Sequence, residues 1–346
     1  MASQSKKRTT IRDVARRAQV APITVSRVVN NSGYIRPETR MRVEAAIQEL
    51  NYIPNTLAQS LRHQKTNMVA LIVTDITNPF WTTVARGVED VCNSHNVNVI
   101  ICNTDEQQEK LDNYVNMLMR RQIDGLILVP TEGYNGEILE SLLTNQVPSI
   151  LLDRVLPNWH HHTVVRGDSV TGAYLLTKHL IDLGHRRIMM LSGSSSVSTG
   201  LERAEGYQRA LREYGITPDP ALLSFGKFTL QSGYEITLEM LDHIRPRPTA
   251  IVTANNFIAI GAQKALDDRG IDIPGEISLA TFDDLPVQVN PRPFLTTITQ
   301  DPYGMGHQAA QRLIMLLTDT NSHPIEDVVL PFRLIIRAST APPFQT

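Results

Sequence analysis

The sequence predicts an α/β protein in which a small helical head precedes two lobes, each built on a doubly wound parallel sheet. Apolar residues recur at helical spacing through the first 50 residues, which predicts the head. From Met68 onward, apolar runs rich in β-branched residues alternate with amphipathic stretches, a pattern typical of parallel sheets covered by helices. These runs are too many for one comfortable sheet of this type, so we predict two lobes.

The composition is that of a soluble globular protein, with 346 residues of which 42% are hydrophobic and 20% are charged. No apolar run approaches the roughly 18 residues that a membrane-spanning helix needs. The polar, basic N-terminus lacks the apolar segment of a secretory signal, and two cysteines, Cys92 and Cys102, are too few for a disulfide framework. We therefore expect a cytoplasmic protein that does not associate with membranes.

The net charge of -2 hides an asymmetry between the head and the rest of the chain. Residues 1–65 contain 12 Lys and Arg but only 4 Asp and Glu, so the head carries +8 and the remainder -10. A basic head on an acidic body indicates that the head meets a polyanion. On charge alone, a solvated basic face remains an equal alternative.

Three short helices are predicted in the head. Thr10 caps the first, Pro22 suits the first turn of the second, and Pro37 opens the third. The inward stripes are Ile11, Val14, Ala15 and Ala18, then Val25, Val28 and Val29, then Val43, Ala46, Ile47 and Leu50.

Two short helices joined by a tight turn, with a third packed across them, are typical of a helix-turn-helix, whose second helix enters the DNA major groove. The outer side of the second helix holds one strong donor to bases or phosphates, Arg27, among smaller side chains: Ile23, Thr24, Ser26 and Asn30. A protein-interaction bundle is the alternative, and the basic charge weighs against it.

The segment after the head is predicted to form a short, marginal helix. Pro54 ends the preceding helix, and Asn55 would cap one or two turns that carry Leu57, Ala58 and Leu61. Isolated helices of this length are marginal in water, so we expect it to fold only when something packs on it. An ordinary interdomain linker is the alternative.

The predicted strands of the body lie at residues 69–74, 98–102, 125–129, 149–152, 187–191, 250–253 and 278–282, with later strands at 296–299 and 328–336. We place the helix-turn-helix head at residues 1–50 and the hinge helix and linker at 51–66. The N-terminal lobe is expected at 67–166 plus about 296–326, and the C-terminal lobe at 167–295 plus about 327–346. From the strand pattern alone, both late strands remain free to join either lobe.

Polar and aromatic residues recur directly after these strands, where ligands bind in open α/β sheets. A mixture of carboxylates, amides, arginines and aromatic faces suits a small polyhydroxylated ligand. A single Asp after a strand is as often a helix cap, so the repetition carries the prediction. The candidate ligand-binding residues are Asp75, Asn78, Phe80, Trp81, Asp153, Arg154, Arg203, Phe228, Asn255, Asp283 and Gln300.

Motifs of catalysis are missing from the sequence. It contains no GxSxG, HExxH, GxxxxGK[ST] or GxGxxG pattern, and no base is placed beside the serines of residues 193–196. The adjacent His160, His161 and His162 do not share a helical or strand face, so a solvated loop is favoured over a metal site. We predict no enzymatic activity, no metal and no cofactor.

The head contains three short motifs at residues 10–15 (TIRDVA), 24–30 (TVSRVVN) and 50–55 (LNYIPN), followed by Ala58 and Leu61. With these motifs it resembles the head of the LacI/GalR family of bacterial transcription regulators. The resemblance continues through Asn78-Pro79-Phe80, Asp124-Gly125, Gly184-His185, Gly206-Tyr207, Phe282-Asp283-Asp284 and Thr297-Ile298, to about residue 338. The motifs of the body are shared with periplasmic sugar-binding proteins, which implies lobes of that type.

This resemblance implies a homodimer, or a tetramer, that binds near-palindromic operator DNA. Residues 22–30 would read the major groove, and the segment after Pro54 would be a hinge helix that folds on DNA with Leu61 wedged into the minor groove. The implied DNA-contacting residues are Thr10, Pro22, Ile23, Thr24, Ser26, Arg27, Asn30, Tyr52, Asn55, Ala58 and Leu61.

Ten of the eleven candidate ligand-binding residues, all except Asp75, match sugar-contacting positions of ribose-type binding proteins. This implies an unphosphorylated aldose effector such as ribose, although Trp81 leaves hexoses open. A purine or a phosphoprotein effector is the main alternative, and a transport-type receptor or an enzyme on the same scaffold is less favoured. Four residues depart from the family pattern: Gln19 for Gly, Ala21 for Ser, Asn256 for Asp and Thr281 for Gly.

Overall fold

The computed structural model describes residues 9–53, 65–134, 137–156, 163–318 and 327–344. Asn55, Ala58 and Leu61 of the predicted hinge helix, and His160 to His162, therefore lie outside the described residues. The chain forms two compact units, Met1–Thr66 and Asn67–Thr346.

The described residues of the first unit form three helices: α1 (Ile11–Ala18), α2 (Pro22–Val29) and α3 (Pro37–Glu49). Thr10 caps α1 as predicted, because its hydroxyl accepts a hydrogen bond from the Asp13 N–H while the Asp13 carboxylate accepts one from the Thr10 N–H. One buried valine from each helix, Val14, Val25 and Val43, meets the others in the core of the head. The predicted apolar stripes therefore form a three-helix core.

The turn between α1 and α2 contains the two departures from the family pattern in the head. Gln19 adopts left-handed backbone geometry with φ of 55°, and Ala21 precedes α2 without a side-chain cap. Side chains with a Cβ adopt that geometry at a cost of roughly 1–2 kcal/mol. The turn is therefore locally strained by its own sequence.

Gln19→Gly is expected to stabilise the head by about 0.5–1 kcal/mol, because glycine adopts the left-handed conformation without steric cost. Native-state hydrogen exchange of the α1 and α2 amides measures the change, with Ala45→Gly at an exposed position in the interior of α3 as a control that should destabilise. Unchanged protection in Gln19→Gly would show that the turn stores no strain.

The second unit contains two six-stranded sheets, one in each lobe. The strands are β1 (Met68–Val73), β2 (Asn98–Asn103), β3 (Gly125–Leu128), β4 (Ser149–Leu152), β5 (Thr163–Gly167), β6 (Ile188–Ser192), β7 (Leu223–Phe225), β8 (Ala250–Thr253), β9 (Ser278–Phe282), β10 (Thr296–Thr299), β11 (Val328–Leu330) and β12 (Arg333–Ile335).

Helices alternate with most of these strands, and a 3-10 turn at Pro220–Leu222 precedes β7. The helices are α4 (Pro79–Ser94), α5 (Gln108–Arg120), α6 (Glu137–Thr144), α7 (Ser169–Asp182), α8 (Ser198–Glu213), α9 (Leu230–His243), α10 (Asn256–Asp268) and α11 (Pro302–Thr318). Among the described residues, none of these helices is long and apolar enough to cross a membrane.

The N-terminal sheet has the strand order β11-β5-β4-β3-β1-β2, and all of its neighbours are parallel. The C-terminal sheet has the order β12-β10-β9-β8-β6-β7 and is parallel except at β12. The two orders correspond strand by strand, so β4 and β9 hold equivalent places in the two lobes.

The expected lobe boundaries are wrong at both late strands. Thr296–Thr299, expected in the N-terminal lobe, pairs with β9 of the C-terminal sheet, with Ile298 opposite Phe282. Val328–Leu330, expected in the C-terminal lobe, pairs with β5 of the N-terminal sheet. The expected strand at 328–336 is two strands, because Pro331 lacks a backbone N–H and the chain changes sheets there.

Helix α11 packs against α4 of the N-terminal lobe, although the strand that precedes it, β10, belongs to the C-terminal sheet. The contact is close because Gly306 lies against the backbone of α4, where an added Cβ would be 2.0 Å from the Val84 carbonyl oxygen. This packing fixes the position of α4, whose first turn contains Phe80 and Trp81. Along the described residues, the chain passes from one lobe to the other after β5, between β10 and α11, and between β11 and β12.

Candidate functional site

The outer side of α2 presents the side chains predicted to contact DNA. Ile23 is 56% exposed, Pro22 and Arg27 are exposed, and Thr24 and Ser26 are half-buried. Asn30 donates a hydrogen bond from Nδ2 to Ser26 Oγ at 3.2 Å, which ties together two members of this surface. Thr10 is exposed at the start of α1, and Tyr52 is half-buried against the core of the head.

Two arginines of the head carry positive charge on its surface. Among the described residues, Arg12 and Arg27 form no ion pair, whereas Arg16 lies 3.7 Å from Asp13 and Arg17 lies 2.6 Å from Glu49. Arg12 and Arg27 are both exposed. They are therefore the arginines of α1 and α2 whose charge is available to phosphates or base edges.

In the second unit, the carboxyl ends of the strands of both lobes border a cleft of about 490 Å³. All eleven residues of the predicted ligand-binding set line it. Nine further residues line it that are not in that set: Thr74, Thr77, Asp105, Glu106, Gln107, Glu132, Thr199, Lys227 and Thr229. Most of these nine also follow strands, so the same signal was present in the sequence.

Two aspartates occupy equivalent positions in the two lobes. Asp153 directly follows β4 and Asp283 directly follows β9, with left-handed φ values of 64° and 61°. Each donates its backbone N–H to the neighbouring strand, Asp153 to Val165 at 2.8 Å and Asp283 to Ile298 at 3.0 Å. The repeated backbone geometry brings one carboxylate from each lobe to the cleft.

Arg203 lies beside the Asp283 carboxylate at the start of α8. Its Nη1 is 4.0 Å from Asp283 Oδ2, it donates to the Ala254 carbonyl oxygen, and its guanidinium lies 4.3 Å from the Phe282 ring centroid. Gln300 Nε2 donates to Asp283 Oδ1 at 3.1 Å. The carboxylate is therefore held between an arginine and an amide.

Burial dominates the ionisation of the two aspartates. Desolvation raises the pKa of Asp283 to about 6, against the attraction of Arg203, and the nearby Asp153 charge adds to the increase. Desolvation likewise raises the pKa of Asp153, opposed by Arg203 and Arg154. Both carboxylates are therefore held at an energetic cost in the ligand-free protein.

Aromatic rings form apolar parts of the cleft wall. Phe80 and Trp81 pack edge to face with centroids 4.9 Å apart. The Phe228 ring lies 5.6 Å from the Arg154 guanidinium and 5.9 Å from that of Arg203. Such rings cover the C–H faces of a sugar or stack on a flat base.

Arg154 makes a bidentate pair with a residue that the sequence did not predict, Glu106. Arg154 Nη1 and Nη2 donate to Glu106 Oε2 and Oε1 at 2.9 and 2.6 Å, and Nη1 also donates to the Pro130 carbonyl oxygen at 2.7 Å. Arg154 is only 4% exposed. Burial lowers its pKa, but the Glu106 carboxylate more than offsets this, and the pKa is raised overall.

Four buried polar atoms of the cleft wall have no hydrogen-bond partner in the described structure. They comprise two donors, Arg154 Nε and Arg203 Nε, and two acceptors, Gln300 Oε1 and Glu132 Oε1. Buried polar groups in native proteins are nearly always paired. A ligand that carries several hydroxyl groups supplies both the donors and the acceptors that these atoms need.

Amide side chains connect the two lobes beside the cleft. Asn78 Nδ2 donates to Asn256 Oδ1 at 2.9 Å, and Asn256 Nδ2 returns a bond to Asn78 Oδ1 at 3.2 Å. Asn255 caps α10 through the Ile258 N–H and donates to the Phe228 carbonyl oxygen. Asn256, a departure from the family pattern, thus forms a reciprocal pair across the lobes.

The other departure, Thr281, lies under the cleft wall. Its buried hydroxyl is 3.0 Å from the Asn255 carbonyl oxygen and accepts a hydrogen bond from the Thr253 hydroxyl at 2.8 Å. Thr281 therefore supports the backbone of a residue that lines the cleft.

Metal-binding side chains do not cluster in the described parts of the chain, where no three of His, Cys, Asp and Glu are arranged to hold an ion. Cys92 and Cys102 are both buried, and desolvation raises the pKa of each thiol to about 11.

Two family models match the chain. Residues 10–55 match the bacterial regulatory proteins of the lacI family, and residues 177–340 match a periplasmic binding protein-like domain.

Relatives with similar sequences extend over nearly the whole chain. The HTH-type transcriptional regulator DegA of Bacillus subtilis is 34% identical over 97% of this chain and 99% of its own. The HTH-type transcriptional repressor PurR of Haemophilus influenzae is 33% identical over 95% and 98%. The ribose operon repressor of Escherichia coli is 33% identical over 89% and 93%.

Solved structures share the architecture. The lac repressor dimer bound to operator and an anti-inducer aligns with a TM-score of 0.83 at 27% identity, covering 97% of this chain and all of that one. A LacI family regulator from Enterococcus faecium with bound ribose aligns with a TM-score of 0.70 at 32% identity, covering 80% and 99%. The chain therefore belongs to the lacI family of bacterial regulatory proteins and is a DNA-binding transcriptional regulator.

Proposed function

We propose that this regulator is a repressor that binds near-palindromic operator DNA as a homodimer, and that a neutral aldose in the cleft controls its operator affinity. The observation that carries the proposal is the set of unpartnered donors and acceptors among the buried atoms of the cleft wall, at Arg154, Arg203, Gln300 and Glu132. Because it acts on operator DNA, we also propose that the protein works in the cytoplasm.

The DNA-binding part of the proposal rests on the outer side of α2. Its exposed Arg27 forms no ion pair within the described head, and residues 1–65 carry a net charge of +8. A helix with such a surface suits the major groove, with α1 across the backbone. The similar lac repressor binds its operator as a dimer. We propose that Asn55, Ala58 and Leu61 add minor-groove contacts.

Arg27→Ala is expected to weaken operator binding about tenfold, because a side-chain contact to a base edge or phosphate is worth about 1–3 kcal/mol. Fluorescence anisotropy measures this with DNA that the protein itself selects from a random palindromic library. Arg16→Ala is the matched control, since Arg16 lies on α1 beside Asp13. Equal operator affinities of Arg27→Ala and the wild type would contradict the assignment of α2.

The sugar-binding part rests on the chemistry of the cleft wall. Its carboxylates and amides, and the unpartnered Nε donors of Arg154 and Arg203, match the alternating donors and acceptors of vicinal hydroxyl groups. Its aromatic rings would cover the C–H faces of the sugar. The similar Enterococcus faecium regulator carries bound ribose, and one relative is a ribose operon repressor. We therefore favour a pentose, with hexoses next.

Control of DNA binding requires that the ligand prefer one of two arrangements of the lobes. A ligand that changes how the lobes meet at the cleft would make or break the contacts between them, such as the hydrogen bonds between Asn78 and Asn256. A hundredfold change in operator affinity needs about 2.7 kcal/mol of coupling free energy. This is comparable to one or two hydrogen bonds with a charged group.

A thermal-shift screen with pentoses, hexoses, their phosphates and purines tests the effector, with calorimetry on every compound that stabilises the protein. Stabilisation by a neutral aldose is the expected result. Stabilisation by a purine alone would support the second candidate, a purine-responsive repressor. That candidate is favoured by the similarity to PurR and by the aromatic rings of the cleft, which would also stack on a base.

A further inference from the structure

The charge of Arg154 is already compensated within the protein. An arginine on a cleft wall usually offers a planar fork of N–H donors that matches carboxylates and phosphates. Here both terminal nitrogens donate to Glu106, at 2.9 and 2.6 Å, and the side chain is 4% exposed. A ligand therefore meets an arginine whose terminal fork is occupied.

Glu106 is held in this role by its own backbone and by a third hydrogen bond. It follows β2 with a left-handed φ of 58°, directly after Asp105 with φ of 50°. Its Oε2 also accepts the backbone N–H of Glu132 at 3.2 Å. Because both carboxylate oxygens are engaged from different segments, the pair with Arg154 is a built part of the cleft.

The remaining charges of the cleft wall are unfavourable for an anion. Six carboxylates line the cleft, Asp75, Asp105, Glu106, Glu132, Asp153 and Asp283, against three cations, Arg154, Arg203 and Lys227. Arg203 lies beside Asp283, and Lys227 is exposed. An anionic group that entered would lose its hydration among six carboxylates, and of the described cations in the lining only the exposed Lys227 lacks a carboxylate partner at ion-pair distance.

We propose that Glu106 determines effector specificity: by occupying the fork of Arg154 it makes the cleft accept neutral sugars and reject sugar acids and sugar phosphates. The inference rests on the proposed sugar-binding function. The Arg154 Nε and Arg203 Nε atoms that remain unpartnered each offer a donor that a hydroxyl oxygen accepts.

Glu106→Gln tests the proposal, because it removes the charge and keeps the length of the side chain. Calorimetry is done with two pairs of sugars, ribose with ribose 5-phosphate and glucose with glucuronate. For each pair that binds, the ratio of the affinity for the neutral sugar to that for the anionic sugar gives the preference for the neutral form. In the wild type this preference is expected to exceed a hundredfold, and in Glu106→Gln it is expected to fall at least tenfold. Adding Arg154→Met to Glu106→Gln should remove the gained binding of the anion.

Glu202→Gln is the matched control. Glu202 also pairs with an arginine, Arg166 at 3.2 Å, but does not line the cleft. The preference of the Glu202→Gln variant for neutral sugars should stay within threefold of that of the wild type. An unchanged preference in Glu106→Gln, or an equal fall in Glu202→Gln, would overturn the role of Glu106 and leave the sugar site intact.

Sugar binding by the wild-type protein distinguishes a wrong role for Glu106 from a wrong class of effector. If it binds the anionic form as tightly as the neutral one, the specificity role of Glu106 is overturned and a sugar site remains. If it binds neither form of either pair, yet still binds its selected operator DNA, the aldose effector is contradicted and the inference falls with it. Glu106→Ala, which removes the carboxylate completely, repeats the test if Glu106→Gln does not fold.

Discussion

Asp283→Asn is expected to stabilise the ligand-free protein at pH 7.5 by about 1–3 kcal/mol while it weakens sugar binding at least tenfold. Burial raises the pKa of Asp283 in the folded protein to about 6, from an ordinary value of 3.8. Two pKa units correspond to about 3 kcal/mol, an upper bound for a carboxylate that water and Arg203 partly stabilise. Asparagine keeps the bond from Gln300 without the buried charge.

The sign of this effect gives its pH dependence. A carboxyl group whose folded pKa is raised contributes stability below its unfolded pKa, and the contribution is lost as the pH rises from about 3.8 through about 6. The advantage of Asp283→Asn should therefore shrink as the pH falls from 7.5 toward 5. Thermal unfolding at several pH values measures it, and calorimetry gives the sugar affinity.

Asp219→Asn is the control for this variant, since Asp219 pairs with Arg187 at 3.2 Å in a more exposed setting. Its effect on stability should stay within about 1 kcal/mol. A melting temperature of Asp283→Asn below that of the wild type at pH 7.5, with unchanged sugar affinity, would contradict both the buried charge and the assigned site.

Arg203→Met is expected to destabilise the protein by about 3–5 kcal/mol at pH 7.5 and to abolish sugar binding. Arg203 is 3% exposed and attracts both Asp153 and Asp283, so its removal leaves Asp283 without its compensating charge and Asp153 with only Arg154. The loss should be smaller at pH 5, which lies below the raised pKa of Asp283 of about 6, so that this carboxyl group holds a proton.

The double variant Arg203→Met with Asp283→Asn should recover at least about 1 kcal/mol, because contacting residues of one network are not additive. Arg187→Met, which breaks the more exposed pair with Asp219, should cost no more than about 1 kcal/mol. An equal loss at pH 7.5 and pH 5 would show that Arg203 acts by packing on Phe282 and not by charge.

The sequence predicted the parts of the site that follow from local pattern. Asp153 and Asp283 were found because each follows a buried apolar strand, and parallel strands end at one edge of a sheet. Glu106 was missed because its function depends on Arg154, which is 48 residues later in the chain. Such a pair becomes visible only when β2 and β4 lie in one sheet.

The lobe assignment shows a related limit. Residues 296–299 and 328–336 were both predicted to be strands, but nothing in these two segments indicates which sheet each strand completes. The choice is made by pairing with β9 and β5 and by the packing of α11 on α4. Residues 163–167, with Thr and Gly at their ends, were not recognised as a strand at all.

In the head, the apolar spacing and the Thr10 cap predicted three helices and their core, because both signals are local. Gln19 was recognised only as a departure from the glycine that the family resemblance implies, and its left-handed φ of 55° gives that departure a physical cost. The reciprocal pair of Asn78 and Asn256 was not, because it joins residues 178 apart in sequence.

Control of DNA binding through the cleft is tested most directly by operator affinity with and without a saturating neutral aldose, measured by fluorescence anisotropy on the selected operator. We expect a change of at least tenfold for the wild type and none for Asp283→Asn, which should bind the operator as tightly as the wild type. Identical operator affinity of the wild type with and without the bound sugar would contradict control of DNA binding through this cleft.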